Sequence, residues 1–192
     1  MSNLEFTPRE VAELAGAPKS AVEKAIEERV ILARKVRVGR RERRVLALDA
    51  IVYAKFMRSM PIPMDLKSKR ALARAITLVK EFKAWRYELS PAVELNVGRV
   101  VGEAVDLARS YAAARDKLIV EDPEILGGTP VIRGTRVSVY AILGRLTGGD
   151  TVEDVLEDHP DLSREAVEMA AIYARTHPLV GRPGGRPWSA AA

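Results

Sequence analysis

Residues 6–30 read FTPREVAELAGAPKSAVEKAIEERV, and their reading sets the fold class. Thr7 is a helix-capping residue, Pro8 suits the first helical position, and Glu10 stands where its carboxylate returns the capping bond. Val11, Leu14 and Ala15 share one face of the helix that follows, and Gly16 ends it. Pro18 opens a second helix running to about Arg29, with Ala21, Val22, Ala25 and Ile26 inward. Two helices joined this tightly predict a helix-turn-helix.

Outward from this pair, Arg37-Val38-Gly39-Arg40-Arg41-Glu42-Arg43-Arg44-Val45 predicts two short strands about a glycine turn. Asp49 is placed to cap a third helix holding Ile51, Val52 and Phe56. Residues 1–60 thus predict a winged helix-turn-helix that binds DNA. Arg37, Arg40, Arg41, Arg43 and Arg44 crowd together, and their mutual repulsion is relieved by an anion. A wing laid along a phosphate backbone supplies one. Lys19, Ser20 and Lys24 lie near the start of the second helix, where a recognition helix meets phosphates or base edges. The alternative for such a charge run is a solvated turn.

Met60-Pro61-Ile62-Pro63 predicts a boundary, since neither proline tolerates a helix interior. In residues 61–117, Leu72, Ala75, Ile76, Val79 and Phe82 repeat at helical spacing. Trp85, Tyr87 and Leu89 alternate, as do Val93, Leu95 and Val97, predicting a strand pair parted by Ser90-Pro91. Val100, Val101, Ala104, Val105, Ala108, Tyr111 and Ala112 mark a long amphipathic helix to about Lys117. This connecting region is expected to dimerise the protein, because symmetric operators favour two-fold binders.

Residues 118–177 predict a second unit. Ile119-Val120 and Val131-Ile132 read as short strands, and helices are expected over 138–147, 152–158 and 164–175. Thr151 with Asp154, and Ser163 with Glu165, are start signals. The connecting stretch, DPEILGGTPVIRGTRV at 122–137, is glycine-rich but lacks both phosphate-binding patterns: no G-x-G-x-x-G after a strand and no Gly-Lys-Ser/Thr. Gly127, Gly128 and Gly134 are therefore read as positive-φ turn positions around a short strand, with Pro130, Thr135 and Arg136 completing a structural motif.

Charge is uneven. Residues 1–90 hold 20 Lys/Arg against 11 Asp/Glu, net +9, whereas residues 91–192 hold 11 against 15, net −4. A basic half joined to an acidic one suggests two different partners. There is no cysteine, which excludes disulfides and thiolate metal sites. No apolar signal region opens the chain and no run of about 18 apolar residues occurs, so a cytoplasmic protein with no membrane span is expected. His159 and His177 each precede a proline in unrelated contexts, and the acids at 150, 153, 154, 157 and 158 are better explained as helix starts. No enzyme, metal or cofactor is expected.

The pattern D-P-x-I-x-G-G-x-P-x-I-x-G-T-R-V at 122–137 resembles the signature of a small bacterial domain commonly encoded beside PIN-like nucleases. LTGGDTVEDVL at 146–156 and HPDLS at 159–163 follow that domain's usual course, so the resemblance covers about 118–176. With a winged helix-turn-helix before it, the chain resembles a VapB-type antitoxin of a type II toxin–antitoxin pair. The resemblance implies a mainly α protein with a small homeodomain-like C-terminal domain, repressing its own operon and neutralising a PIN-like ribonuclease toxin by direct binding. Residues 178–192 are then an extended toxin-binding tail. Arg182 and Arg186 are equal candidates for the toxin's carboxylate pocket, and Trp188 for a surface anchor. Removing this tail is expected to free the nuclease and leave DNA binding intact. A homodimer is expected, and with toxin a higher hetero-oligomer. The rivals are a stand-alone dimeric transcriptional regulator, its C-terminal unit sensing a ligand or only dimerising, and an enzyme gripping an anion with Arg133, Thr135 and Arg136.

Overall fold

Thr7 caps α1 (Pro8–Ala15) by the reciprocal bond its spacing predicts: its hydroxyl accepts from the Glu10 amide at 3.3 Å, and the Glu10 carboxylate accepts from the Thr7 amide at 2.6 Å. Gly16, at φ 62°, ends the helix. The chain around it is mainly helical with short antiparallel strand pairs. The computed structural model describes residues 4–38, 41–60, 63–91 and 93–179, with the backbone alone at 38 and 41.

In α2 (Lys19–Glu27), Val22 and Ala25 are buried, Ile26 is half-buried, and Ala21 faces outward rather than inward. β1 (Arg34–Val38) and β2 (Arg41–Val45) pair antiparallel, with Val36 opposite Arg43 and Lys35 opposite Arg44. The base of this hairpin is pinned by Phe6 and Leu46, both buried, whose amides and carbonyls exchange bonds of 2.8 Å. That bridge holds the chain extended through residue 46. Ala47, not Asp49, therefore takes the N-cap position of α3 (Leu48–Ser59), and no side chain caps it. Asp49 falls in the first turn, where its charge suits the helix dipole. α3 is buried almost all round and packs against α1, α4 (Leu66–Thr77) and α5 (Val97–Leu118), as a central helix must.

Asp65 caps α4, accepting from the Ser68 amide at 2.6 Å. The helix stops short of Val79 and Phe82, although both continue its spacing. Phe82 is buried even so, because the turn after α4 folds back under α5 (Val97–Leu118), and the Gly98 amide donates to the Trp85 carbonyl at 2.9 Å. Between them lie β3 (Arg86–Ser90) and β4 (Val93–Asn96). Val97, read above as a strand residue, opens α5 instead, since the Asn96 side chain caps that helix by accepting from the Arg99 amide at 3.2 Å.

Beyond α5, β5 (Ile119–Val120) and β6 (Val131–Ile132) pair antiparallel. Gly127, Gly128 and Gly134 take φ values of 64°, 84° and 79°, as turn positions require. The Thr135 hydroxyl donates to the Ile132 carbonyl at 2.8 Å and accepts from the Val137 amide at 3.1 Å, closing the second turn. Pro130 is buried and Arg136 exposed. α6 (Val139–Gly148), α7 (Val152–Asp158) and α8 (Arg164–Thr176) are capped by Ser138, Thr151 and Ser163, with Asp154 returning the bond to Thr151. α8 packs on α6 and α7 and also on α1 and α5, so buried residues from all parts of the chain share a core. Among the described residues, no helix is long and apolar enough to cross a membrane.

Candidate nucleic-acid interface

The first turn of α2, strand β2, the start of α1 and the end of α8 enclose a cleft of about 390 Å³. Arg9, Lys19, Arg43 and Arg44 border it, against the single carboxylate of Glu23. Glu23 accepts from Lys19 at 2.9 Å, one helical turn away. That bond, with the added charge of Arg44 and Arg9, holds the Glu23 carboxyl below its ordinary range. The side chains of Arg43 and Arg44 are exposed and make no hydrogen bond or ion pair to another residue among those described. The cleft is thus a cationic surface whose charge is only partly neutralised from within.

Of the residues singled out in the sequence, the fold brings Lys19, Arg43 and Arg44 together. Ser20 is exposed on α2 outside this cleft. Lys24 lies round the helix, 3.8 Å from Glu28, and borders an apolar groove toward α3. Arg37 is exposed on β1 opposite Glu42, which pairs with Lys35 at 3.3 Å. The Arg41 side chain, Arg40, Arg182, Arg186 and Trp188 lie outside the described residues. Arg9 was missed by the sequence reading. Its signal was an exposed cation directly after the proline that starts α1, the end of the helix that meets α2.

Beneath the cleft is a buried polar junction. Glu10 is only 1% exposed. One of its carboxylate oxygens accepts from the Tyr111 hydroxyl at 2.8 Å and from Arg115 Nη1 at 3.0 Å. Arg115 also donates to the Glu5 carbonyl at 3.1 Å, and its guanidinium lies 6.0 Å from the Phe6 ring centroid. Burial pushes the Glu10 carboxyl up, but Arg115, the Thr7 amide and Tyr111 together outweigh it and leave the group below its ordinary value. From the other side, Arg175 of α8 pairs with Glu13 of α1 at 2.6 Å, Tyr173 donates to Glu121 at 2.7 Å, and the Tyr173 and His177 rings stack at 4.1 Å. A polar cavity of about 480 Å³ opens here, between Val36, Arg43 and Val45 of the hairpin and Glu121, Tyr173 and His177. Among the described residues, no group of three acids, histidines or cysteines is placed to hold a metal ion.

Burial, above all, pushes the His177 imidazole below its ordinary value, while the charge of Glu10 opposes this. His177 and Glu10 are both depressed groups. Each contributes stability that is complete above its ordinary value, 6.5 and 4.5 respectively, and lost as pH falls through the depressed value. Thermal melts should show Tm falling in two stages on acidification, the first from about pH 6.5 and the second from about pH 4.5. In His177→Asn the first stage should shrink. A Tm indifferent to pH between neutrality and the carboxylate range would contradict the assignment.

Residues 119–174 match a family described as a protein of unknown function (DUF433). Over 71 residues, 37% of this chain, the sequence is 49% identical to the uncharacterized protein y4eO of Sinorhizobium fredii. The match spans about a third of that protein's length, 32%. Over 86% of this chain and 96% of the other, the structure aligns with the crystal structure of Rv2018 from Mycobacterium tuberculosis at 19% identity and a TM-score of 0.37, a likeness too distant to bear on fold or function.

Proposed function

We propose that this chain is a DNA-binding antitoxin of the VapB type, acting in the cytoplasm. In this reading α1, α2 and the β1–β2 hairpin are a winged helix-turn-helix, with α2 in the major groove and the hairpin along the backbone. The observation that carries it is the convergence of Lys19, Arg43 and Arg44, joined by Arg9, on one cleft. Arg37, Arg40 and Arg41 belong to the same cationic run in the sequence, and Ser20 adds a contact on α2. The strand pair β3–β4 and α5 dimerise the protein, and the partly exposed Val93 and Leu107 supply apolar surface there. The homeodomain-like unit of α6, α7 and α8, with residues 178–192, holds a PIN-like ribonuclease, and the complex represses its own operon. The resemblance of the 122–137 motif supports that partner. No catalytic role is assigned.

The test is fluorescence anisotropy on the DNA upstream of the coding sequence. Lys19→Ala/Arg43→Ala/Arg44→Ala should lose about tenfold or more in affinity at every sequence tried, and the slope of log K against log salt should fall by about one per cation removed. Unchanged affinity and slope would remove the cleft from DNA binding. Co-expression with the neighbouring gene should yield a co-purifying nuclease whose activity is blocked. The polar cavity beside the hairpin favours a second reading, a stand-alone dimeric regulator that senses a ligand. A dimeric, DNA-binding chain with no nuclease travelling alongside would decide for it.

A further inference from the structure

The apolar groove between α2 and α3 holds about 270 Å³ and lies on the side of α2 away from the basic cleft. Pro18, Ala21, Val22, Ala25 and Glu28 border it at helical spacing, whereas Lys19 and Glu23 border the cleft. Two features set it apart from a packing gap. The first is Tyr53 of α3, which lines the groove and is only 5% exposed, yet its hydroxyl makes no hydrogen bond to another described residue. Buried polar groups are ordinarily paired. Among the described residues no fully buried side-chain oxygen lacks a partner, so this hydroxyl opens onto a cavity instead of being sealed in the core. Burial first, and then the charge of Glu28 on the groove's rim, push it up to about 12, so it is a neutral donor at ordinary pH. The second feature is a cationic rim. Lys24 and Glu28 pair at 3.8 Å and offset each other. Arg58 and the half-buried Lys69 remain, and neither side chain has a hydrogen bond or ion pair to another described residue.

We infer that this groove is a binding site for a small carboxylate with an apolar body. The carboxylate is taken by Arg58, Lys69 and the Tyr53 hydroxyl, and the body lies against Val22, Ala25 and Met57. The inference stands apart from the DNA-binding reading above. Size limits the occupant. The groove offers the space of about nine molecules of liquid water, which suits a ligand of about ten non-hydrogen atoms. One turn of a partner helix, about 10 Å across and about 5.4 Å high, fills about 420 Å³ and is too large.

The chemistry selects the class. Small-molecule sites are mostly apolar, with a few polar groups that fix orientation, and this groove has that composition. An inorganic anion would leave the apolar walls unused. An uncharged apolar molecule would leave Arg58, Lys69 and the Tyr53 hydroxyl without partners. A carboxylate on an apolar body satisfies both, through charge-assisted hydrogen bonds at one end and burial at the other. Because the Tyr53 hydroxyl has no partner in the unliganded fold, its removal should weaken binding and leave folding untouched.

The experiment titrates benzoate and octanoate into the full chain carrying carbon-13 at its methionine methyls. Met57 borders the groove, and Met169, buried in α8, is the internal reference. The Met57 signal should move with a dissociation constant of about 0.1–1 mM for one acid or both, while Met169 stays in place. The tighter of the two acids tells whether the body is a ring or a chain. Acetate, a charge without a body, and benzamide, a body without a charge, should each bind about tenfold more weakly or worse. Arg58→Ala/Lys69→Ala should weaken binding about tenfold. Tyr53→Phe should do the same with Tm within about 2 °C of the wild type, which a structural role for the hydroxyl would not give. Ala21→Leu, at an exposed position of α2, should fill the groove and abolish binding. A Met57 signal unmoved by both acids overturns the site. So does undiminished binding by Arg58→Ala/Lys69→Ala or by Ala21→Leu, or acetate binding as tightly as the larger acids. A Met57 signal that moves on dilution of the chain alone overturns it in favour of a second copy seated on the groove.

Discussion

Glu10→Ala is expected to cost about 3–5 kcal/mol of folding stability, the range for breaking a buried charge pair by removing one partner. For a chain of this length each kcal/mol moves Tm by about 2–4 °C, so a fall of about 10 °C should be seen in thermal melts. The loss has three parts that act together. The Arg115 guanidinium, its side chain 19% exposed, keeps its charge but loses its buried counterion, retaining only the half-exposed Asp116 carboxylate at 3.1 Å. The Tyr111 hydroxyl, on a fully buried residue, loses its acceptor. The Thr7 amide loses the reciprocal half of its cap, about 1 kcal/mol by itself. Desolvation sets the sign of the control. Because the pair's attraction is largely cancelled by the cost of burying both ions, Glu10→Gln/Arg115→Met should be less destabilised than the sum of the two single changes. A Glu10→Ala chain melting within about 2 °C of the wild type would show that the junction does not tie α1 to α5.

Glu10 also marks where sequence reading stops. The cap was legible because Thr7 and Glu10 are three residues apart and capping is local, as it is at Thr151 and Asp154. The same carboxylate's bond to Arg115 was not, since 105 residues separate the partners and no local rule joins them. Competing interactions explain the other misses. Asp49 looks like a cap, but the Phe6–Leu46 bridge fixes the chain just before it and hands the position to Ala47. Val97 continues an alternation, yet Asn96 can cap, and a cap overrides a two-residue period. Phe82 keeps helical spacing after its helix has ended, because a turn buries an aromatic ring as well as a helix does. In the cleft, the charge run on β2 was plain in the sequence. Arg9 was not, because its place there depends on how α1 meets α2 and the hairpin.

Gly98→Ala separates local propensity from tertiary packing most sharply. Glycine in a helix is ordinarily worse than alanine by about 1 kcal/mol, so on propensity alone the change should stabilise α5. The fold dictates the opposite. A Cβ at residue 98 would lie 2.0 Å from the Lys83 carbonyl oxygen, 2.5 Å from its carbon and 2.6 Å from the Phe82 carbonyl oxygen. These are backbone atoms, and no side-chain rotation clears them. The turn that carries Phe82 must move off α5, which exposes that ring and stretches the bond from the Gly98 amide to the Trp85 carbonyl. Overpacking of this kind costs about 1–3 kcal/mol or more, enough to outweigh the gain in propensity, so a net loss of about 2 kcal/mol is expected in urea titrations. Gly102, one turn later on the same helix, supplies the contrast. There an added Cβ meets only the Lys83 Cγ at 4.0 Å, an ordinary contact, so Gly102→Ala should be neutral or stabilising by up to about 1 kcal/mol. Opposite signs at two glycines four residues apart would show that α5 rests directly on the 82–85 turn. Equal responses would mean that the close approach at residue 98 is not a feature of the folded protein.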